Sequence, residues 1–544
     1  MPVNSDWNVS SNWDDGPPNS PTDTAVFGSS ATTDVSLSAS TDLDGIDYKT
    51  GGDAFAVTIG VNFTLNLGGV GISNSSSNTQ NFITIASENP NSGRIVFLNS
   101  ATAGTDVGIT NRGPSMVGAV PSGGNTIFAN LSSAGSARFT NEGSSASANT
   151  VGGYVAFYHS AKAGTAIFDN LAGTASDSYG GFVVFRNSST AELATMTSRG
   201  STVNGAFMGF VQFADNATAG NSTLTVEGGS GANTFGGYTE FFGNSTAASS
   251  TLIAKGGSSG GLGGNIVFRE DSTGAMARVE LYGNGNLDLS PHNSTGASVG
   301  SIEGDGLVYL GTKLLTVGAN DLSTTFMGIL QDGGESGGTD GSLMKVGNGT
   351  LTLAGANTYT GSTTVGAGKL LVNGSASGTT GTVTVFGGAT LGGDGMVEGS
   401  TTIQSGGILS PGDGLGTLNL DNLSLDNGAT AIYQGGDLVR VANSLTLTDG
   451  WTLTLETGFQ DGGTVTLFQY AATVAIDLTP TFNFAGLGFN PSTALSLVDT
   501  GSSIELHGVS VIPEPSSLSF LFVGLVVGTS FRRSRSRPHS LPMN

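Results

Sequence analysis

RIVFLNSATAG (94–104), NTIFANLSSAG (125–135) and YVAFYHSAKAG (154–164) are three versions of one phrase. Four more follow: FVVFRNSSTAE (182–192), FVQFADNATAG (210–220), YTEFFGNSTAA (238–248) and NIVFREDSTGA (265–275). Their phenylalanines, Phe97, Phe128, Phe157, Phe185, Phe213, Phe241 and Phe268, stand 31, 29, 28, 28, 28 and 27 residues apart. Within each copy apolar residues alternate, as Val155 with Phe157 and Val183 with Phe185, so they share one face of a strand. No stretch sustains the i, i+3, i+4, i+7 spacing of a helix. A second short strand follows each phrase about ten residues on, as in ARFTNEG, AIFDNLAG and LTVEGG. Short strands at a period near 28 describe the coils of a β-solenoid, in which each repeat packs on its neighbours.

Stacked coils bring equivalent residues to about 4.8 Å, the spacing of paired strands. The seven phenylalanines are therefore expected to form an interior ladder. Two residues after each stand Asn99, Asn130, His159, Asn187, Asp215, Gly243 and Glu270, mostly turn formers suited to a corner. The Gly-Gly and Gly-Asn pairs before the strands are expected to supply positive-φ corners.

Composition agrees with an extended fold. Of 544 residues 88 are glycine, and only 11% are charged, against about 25% in ordinary domains. Hydrophobic residues, at 37%, are too many for a disordered polar tract. Residues 1–531 hold 14 basic and 41 acidic side chains, a net charge of −27, which repels nucleic acid and anionic lipid. With no cysteine, the chain has no disulfide, thiol catalyst or thiolate metal site.

Residues 343–420 repeat differently, beginning LMKVGNGTLTLAGANTYTGSTTVGAGKLLVNGSASG. From Lys345 to Gly378 this closely resembles the autotransporter-associated β-strand repeat, with a looser continuation to Leu420. The resemblance implies a right-handed parallel β-helix on the outside of a bacterium. The opening WNVSSNWDDGPPNSPTDTAVF (7–27) is similar to the start of proteins carrying such repeats. Autotransporters also carry a membrane barrel of about 12 strands, and residues 445–510 hold too few strands for one.

The last stretch reads VIPEPSSLSFLFVGLVVGTSFRRSRSR (511–537). Pro513, Glu514 and Pro515, an apolar run over 518–531, and the cluster Arg532, Arg533, Arg535 and Arg537 together resemble the PEP-CTERM sorting signal. That resemblance implies an exosortase, a membrane processing enzyme, as partner, with exopolysaccharide a further one. At 14 residues the run spans only about 21 Å as a helix, short of a bilayer core of about 30 Å. The arginines hold its end in the cytoplasm and leave residues 1–510 outside. The expected course is transient anchoring in the inner membrane, then the cell surface or matrix of a Gram-negative-type bacterium. The start, MPVNSDWNVSSNW, has no basic and apolar leader pattern, so a signal peptide is expected upstream of Met1.

The sequence divides into an N-terminal β region and cap (1–70), coils of about 28 residues (71–300), coils with the autotransporter-type repeat (301–440), a C-terminal β region (441–510), the sorting segment with a short hydrophobic helix (511–537) and a tail (538–544). The fold class is all-β, a right-handed parallel β-helix. The expected function is structural or adhesive, with no catalytic residue, cofactor or metal. The alternative is a carbohydrate-active β-helix enzyme, a polysaccharide lyase or hydrolase. It would need three or more charged groups converging in a groove.

Candidates for such chemistry are few. His159, His292, His507 and His539 lie outside metal-ligand spacing of one another. GAGKLL (366–371) lacks the first glycine and the Ser/Thr of a phosphate loop, and GNGNLDL (283–289) matches a calcium nonapeptide once, not in tandem. Asp215 and Glu270 occupy equivalent positions two coils apart, about 10 Å, with Arg186 and Arg269 near. Tyr154, Tyr158, Tyr238 and Phe242 are expected to be exposed aromatics able to stack on sugars.

Overall fold

The computed structural model of the chain describes residues 5–88, 91–116, 121–147, 150–376, 381–485 and 494–511. The sorting segment beyond Val511 and its apolar run lie outside the described residues, as does His539. Among the described residues strand follows strand, and the helical element is one 3-10 turn at Ser10–Asn12. No helix among the described residues is long and apolar enough to cross a membrane.

The strands wind as a parallel β-solenoid. One 13-stranded sheet begins at Thr24–Phe27 and ends at Ile329–Gln331. A second ladder runs from Asp34–Leu37 to Thr481–Phe484, every pair parallel. Successive copies pair in register: Tyr154–Phe157 lies between Asn125–Phe128 and Phe182–Phe185, with Phe157 opposite both Phe128 and Phe185. In the second ladder Phe168 lies between Phe139 and Met196. On the third side the wide coils touch through single bridges, Thr102 to Ser133 and on to Lys162, Thr190, Thr218, Thr246 and Thr273. Buried alanines such as Ala161, Ala191, Ala217 and Ala247 line that side, so the cross-section stays thin.

The seven phenylalanine rings stack inside the first sheet. Neighbouring centroids lie 4.6 to 5.0 Å apart with planes within 9° of parallel. All seven are fully buried. Strand spacing sets this distance, and it lies within the range at which aromatic rings attract one another.

The corner two residues on is left-handed in every copy, with φ between 51° and 68° at Asn99, Asn130, His159, Asn187, Asp215, Gly243 and Glu270. Asn, Asp and Gly tolerate that conformation best. The side chains also bind one coil to the next. The Asn130 amide donates to His159 Nδ1 (3.2 Å), the His159 amide to Asn187 Oδ1 (3.0 Å) and the Asn187 amide to Asp215 Oδ2 (2.8 Å).

The glycine pairs before the strands have a different cause from the one expected. Gly180 and Gly181 do not adopt positive φ; a Cβ on Gly181 would sit 2.1 Å from the carbonyl oxygen of Asn141. They are close-approach glycines, not corner glycines. Gly181 approaches the backbone of an internal amide ladder, while Gly180 approaches the Met208 carbonyl of the next coil. Thr84 donates to Asn111 (2.8 Å), Asn111 Nδ2 to Asn141 Oδ1 (2.8 Å) and Asn141 Nδ2 to Asn170 Oδ1 (2.7 Å), all fully buried. Each buried amide satisfies the next, which a buried polar group requires.

Near residue 290 the winding changes. A third sheet of 12 strands opens at Gly296–Val299, joined to the earlier bridges through the Thr273 and Ser298 hydroxyls (3.2 Å). The coils then shorten: Leu351, Leu370, Leu391 and Leu409 are register partners 19, 21 and 18 residues apart. Further on, two faces merge. Met396–Ile403, Thr417–Leu425, Leu438–Leu447 and Val465–Ile476 are long strands whose register shifts partway, between Val397/Ser400, Leu420/Leu423 and Val441/Ser444. The extra residue bends each strand around the corner that separate strands made before.

The two ends of the described solenoid differ. Trp7, Trp13, Phe27, Tyr48 and Phe55 pack as an aromatic cluster at the N-terminal end, centroids 4.8 to 5.9 Å apart. At the other end a hairpin, Ser496–Asp499 with Ser503–His507, pairs antiparallel with Val465–Ile476.

Candidate functional surface

The expected aromatics Tyr154 and Tyr238 lie on the solvent side of the first sheet. Alternation sends Phe157 inward and Tyr154 outward. Tyr154, Phe182 and Phe210 form an outer stack, with centroids 4.8 and 4.6 Å apart. Each ring face is therefore covered by the next ring, and only edges reach solvent. Sugar stacking needs an open face, which this column offers at most at its ends. Phe242 is 37% exposed and Tyr158 partly exposed, each outside the stack.

Charged groups do converge farther along this face. Arg269 pairs with Glu240 through Nε and with Glu335 through Nη2 (2.6 Å), and Nη2 also meets the Tyr238 hydroxyl (3.0 Å). Gln212 donates to Glu240 (2.8 Å) and Arg186 to Gln212 (3.3 Å). Glu335 belongs to the segment after Ile329–Gln331, which folds back across earlier coils. Its amide donates to Asp288 (2.7 Å), and the Ser336 amide donates to Ser290 Oγ (2.9 Å). These charges neutralise one another across neighbouring coils. Burial, with Glu240 beside it, pushes the Tyr238 phenol up to about 12, so it stays protonated at neutral pH. A lyase would need a free base and a bound space beside it. Here each ionic group already has a protein partner.

Asp215 and Glu270 both sit at left-handed corners, and Asp215 is held by the Asn187 amide and side chain. Gly243, at the same corner of the coil between them, adds no side chain to the pair. His159 is a corner link. His292 is buried and donates from Nε2 to the Ser272 carbonyl (2.6 Å), while His507 meets Glu505 (3.2 Å). No group of three His, Asp or Glu among the described residues could hold a metal. Lys369 opens the strand Lys369–Val372, and in the nonapeptide-like stretch Asn284 accepts from the Gly257 amide and Asp288 from Ser290 and Glu335. Those oxygens are committed to the backbone.

Residues of the 343–378 motif serve the architecture. Buried Lys345 points its ammonium at the carbonyls of Val346 (2.6 Å), Gly347 (2.9 Å) and Ala367 (3.3 Å), and burial lowers its pKa. Asn357 accepts from the Leu330 amide (3.0 Å), carrying the first sheet's pairing past its last strand. Tyr359 bonds Thr363 inside the core (2.6 Å).

The bend where the two faces merge holds a groove of about 640 Å³ that sequence reasoning did not find. Met396, Asn419, Arg440 and Gln469 are register partners on four successive coils, so their column runs along the solenoid axis. Asp421 and Ser502 flank it. One signal was present: Arg440 is the only basic residue between Lys369 and Arg532. A smaller recess of about 450 Å³ lies against Trp13 and Phe27 at the N-terminal cap.

Compared with known families, residues 343–372 match the passenger-associated transport repeat. No curated protein matches the chain.

Proposed function

We propose that the chain is a surface-exposed, passenger-like structural rod, wound right-handed, that works by presenting repeated faces rather than by turnover. The observation carrying this reading is a continuous parallel solenoid with a passenger-associated transport repeat wound into it at residues 343–372. The charged cluster on the first sheet supports a non-catalytic role, because Glu240, Arg269 and Glu335 satisfy one another. The PEP-CTERM resemblance supports sorting of the C-terminal segment, including a short hydrophobic helix over 518–531, by an exosortase, with brief residence in the inner membrane and release into an exopolysaccharide matrix.

The test is fractionation of the native cells, with the gene at its own locus and its upstream sequence intact, beside cells whose version ends at Val511. External protease should reach the full-length rod on intact cells, and the truncated rod should fail to leave the cell envelope correctly. Mass spectrometry of surface-released protein should find a C-terminus before Arg532. Protein confined to the cytosol would refute the surface reading; released protein still ending at Asn544 would refute processing alone.

A further inference from the structure

We propose that the groove at the merged faces binds a linear acidic polysaccharide whose carboxylates are spaced along the polymer, with Arg440 as the anchoring cation. The floor consists of strands paired on both sides, so no backbone edge is open for a peptide strand to join. Only side chains can make contact, and they repeat once per coil. Met396, Asn419, Arg440 and Gln469 cover about 14 Å in a straight line, room for about three linked sugar rings.

The polar groups along this line are planar and only half used. Arg440 gives Nε to Gln469 Oε1 (3.0 Å), and among the described residues its Nη1 and Nη2 meet no partner. Gln469 keeps its Nε2 hydrogens free, and Asn419 spends Nδ2 on the Gly395 carbonyl (3.0 Å), leaving Oδ1 free. Asp421 takes the Gly399 amide on Oδ2 (3.2 Å), leaving Oδ1. Met396 supplies an apolar surface, 38% exposed, for a ring's C–H face. The pattern is donors and acceptors for hydroxyls around one unpaired guanidinium fork, which matches a carboxylate in bidentate geometry. Contrast Arg199, Arg269 and Arg278, each already paired with acids.

Net charge narrows the ligand further. A body carrying −27 repels a densely charged polyuronate or nucleic acid. A polymer with one uronate among several neutral sugars brings a single carboxylate to Arg440 and leaves the others beyond a Debye length of about 10 Å at 0.1 M salt.

The test uses the purified full chain in native affinity electrophoresis through gels containing gellan, whose repeat carries one glucuronate, and through gels containing carboxyl-reduced gellan. Gellan should retard the chain and its reduced form should not, with retardation weakening as salt rises. Arg440→Gln should cut the affinity about tenfold and Asn419→Ala about threefold. Arg440 is exposed, and an unchanged hydrogen-exchange map of the variant should confirm an intact rod. Absence of retardation, equal retardation by the reduced polymer, or an unaltered affinity in Arg440→Gln would each overturn the proposal. A rod that reaches the surface yet ignores gellan sinks this inference and leaves the passenger-like reading standing.

Discussion

Replacing Phe157 with alanine tests the ladder directly. Its ring is fully buried between Phe128 (4.9 Å) and Phe185 (4.6 Å), with Phe168 edge-on at 6.0 Å. Removing a ring that buries about 150–200 Å², at about 25 cal/mol per Å², costs about 4 kcal/mol. That agrees with about 3–5 kcal/mol for buried Phe→Ala changes in general. Phe97 starts the stack, with Leu67 rather than a ring on its other side. Phe97→Ala loses one ring contact instead of two and should cost about 1 kcal/mol less. In a solenoid each coil feels only its neighbours, so the damage should stay local. Hydrogen exchange of the full chain should show faster exchange across residues 125–185 in Phe157→Ala and unchanged protection at 438–447. Equal costs at both sites would show that stacking adds nothing beyond burial. Loss of protection along the whole rod would refute the nearest-neighbour account.

Other outcomes are as definite. Lys345→Met removes a buried ammonium from three part-buried carbonyls and should destabilise the surrounding coils by about 1–3 kcal/mol, read by urea melts of local exchange. Glu270→Asn relieves a left-handed corner at φ 51° and should stabilise by about 0.5–1 kcal/mol in the same assay. Asp437 is buried, and burial raises its carboxyl above 3.8. A raised folded-state pKa contributes stability present below the unfolded value and lost as pH rises through the folded one. Exchange protection at 434–438 should therefore decline as pH rises through that window, and Asp437→Asn should flatten the dependence.

What the sequence disclosed followed from how strongly each signal repeats. Phe97 to Phe268 recur with their surroundings, so strand, period and inward face were legible together. Corner residues such as Asn130 and Asp215 were legible as turns, but their bond to the next coil depends on register. Gly181 misled because glycine answers two needs, positive φ and close approach, and only the Asn141 carbonyl tells them apart. The amide ladder was written as the Asn of FTN and FDN, yet an asparagine in a strand looks like a polar face until its neighbour is known. The groove needed the shifts at Leu420/Leu423 and Val441/Ser444, which no local pattern announces. Arg440 drew no notice because one arginine has no period.

The backfolded segment around Glu335 acquires another meaning once tension is considered. Hydrogen bonds between coils lie along the long axis, so a pulled rod is a set of joints in series, and the thinnest joint sets how much load it bears. In the second ladder that joint is Ser301–Gly304 against Thr324–Phe326, which meet at one register pair, Gly304 with Phe326. Glu335 and Ser336 leave the far side of this joint and fasten to Asp288, Ser290 and Arg269 on the near side. They act as a tie in parallel with it, sharing force where the winding changes gauge.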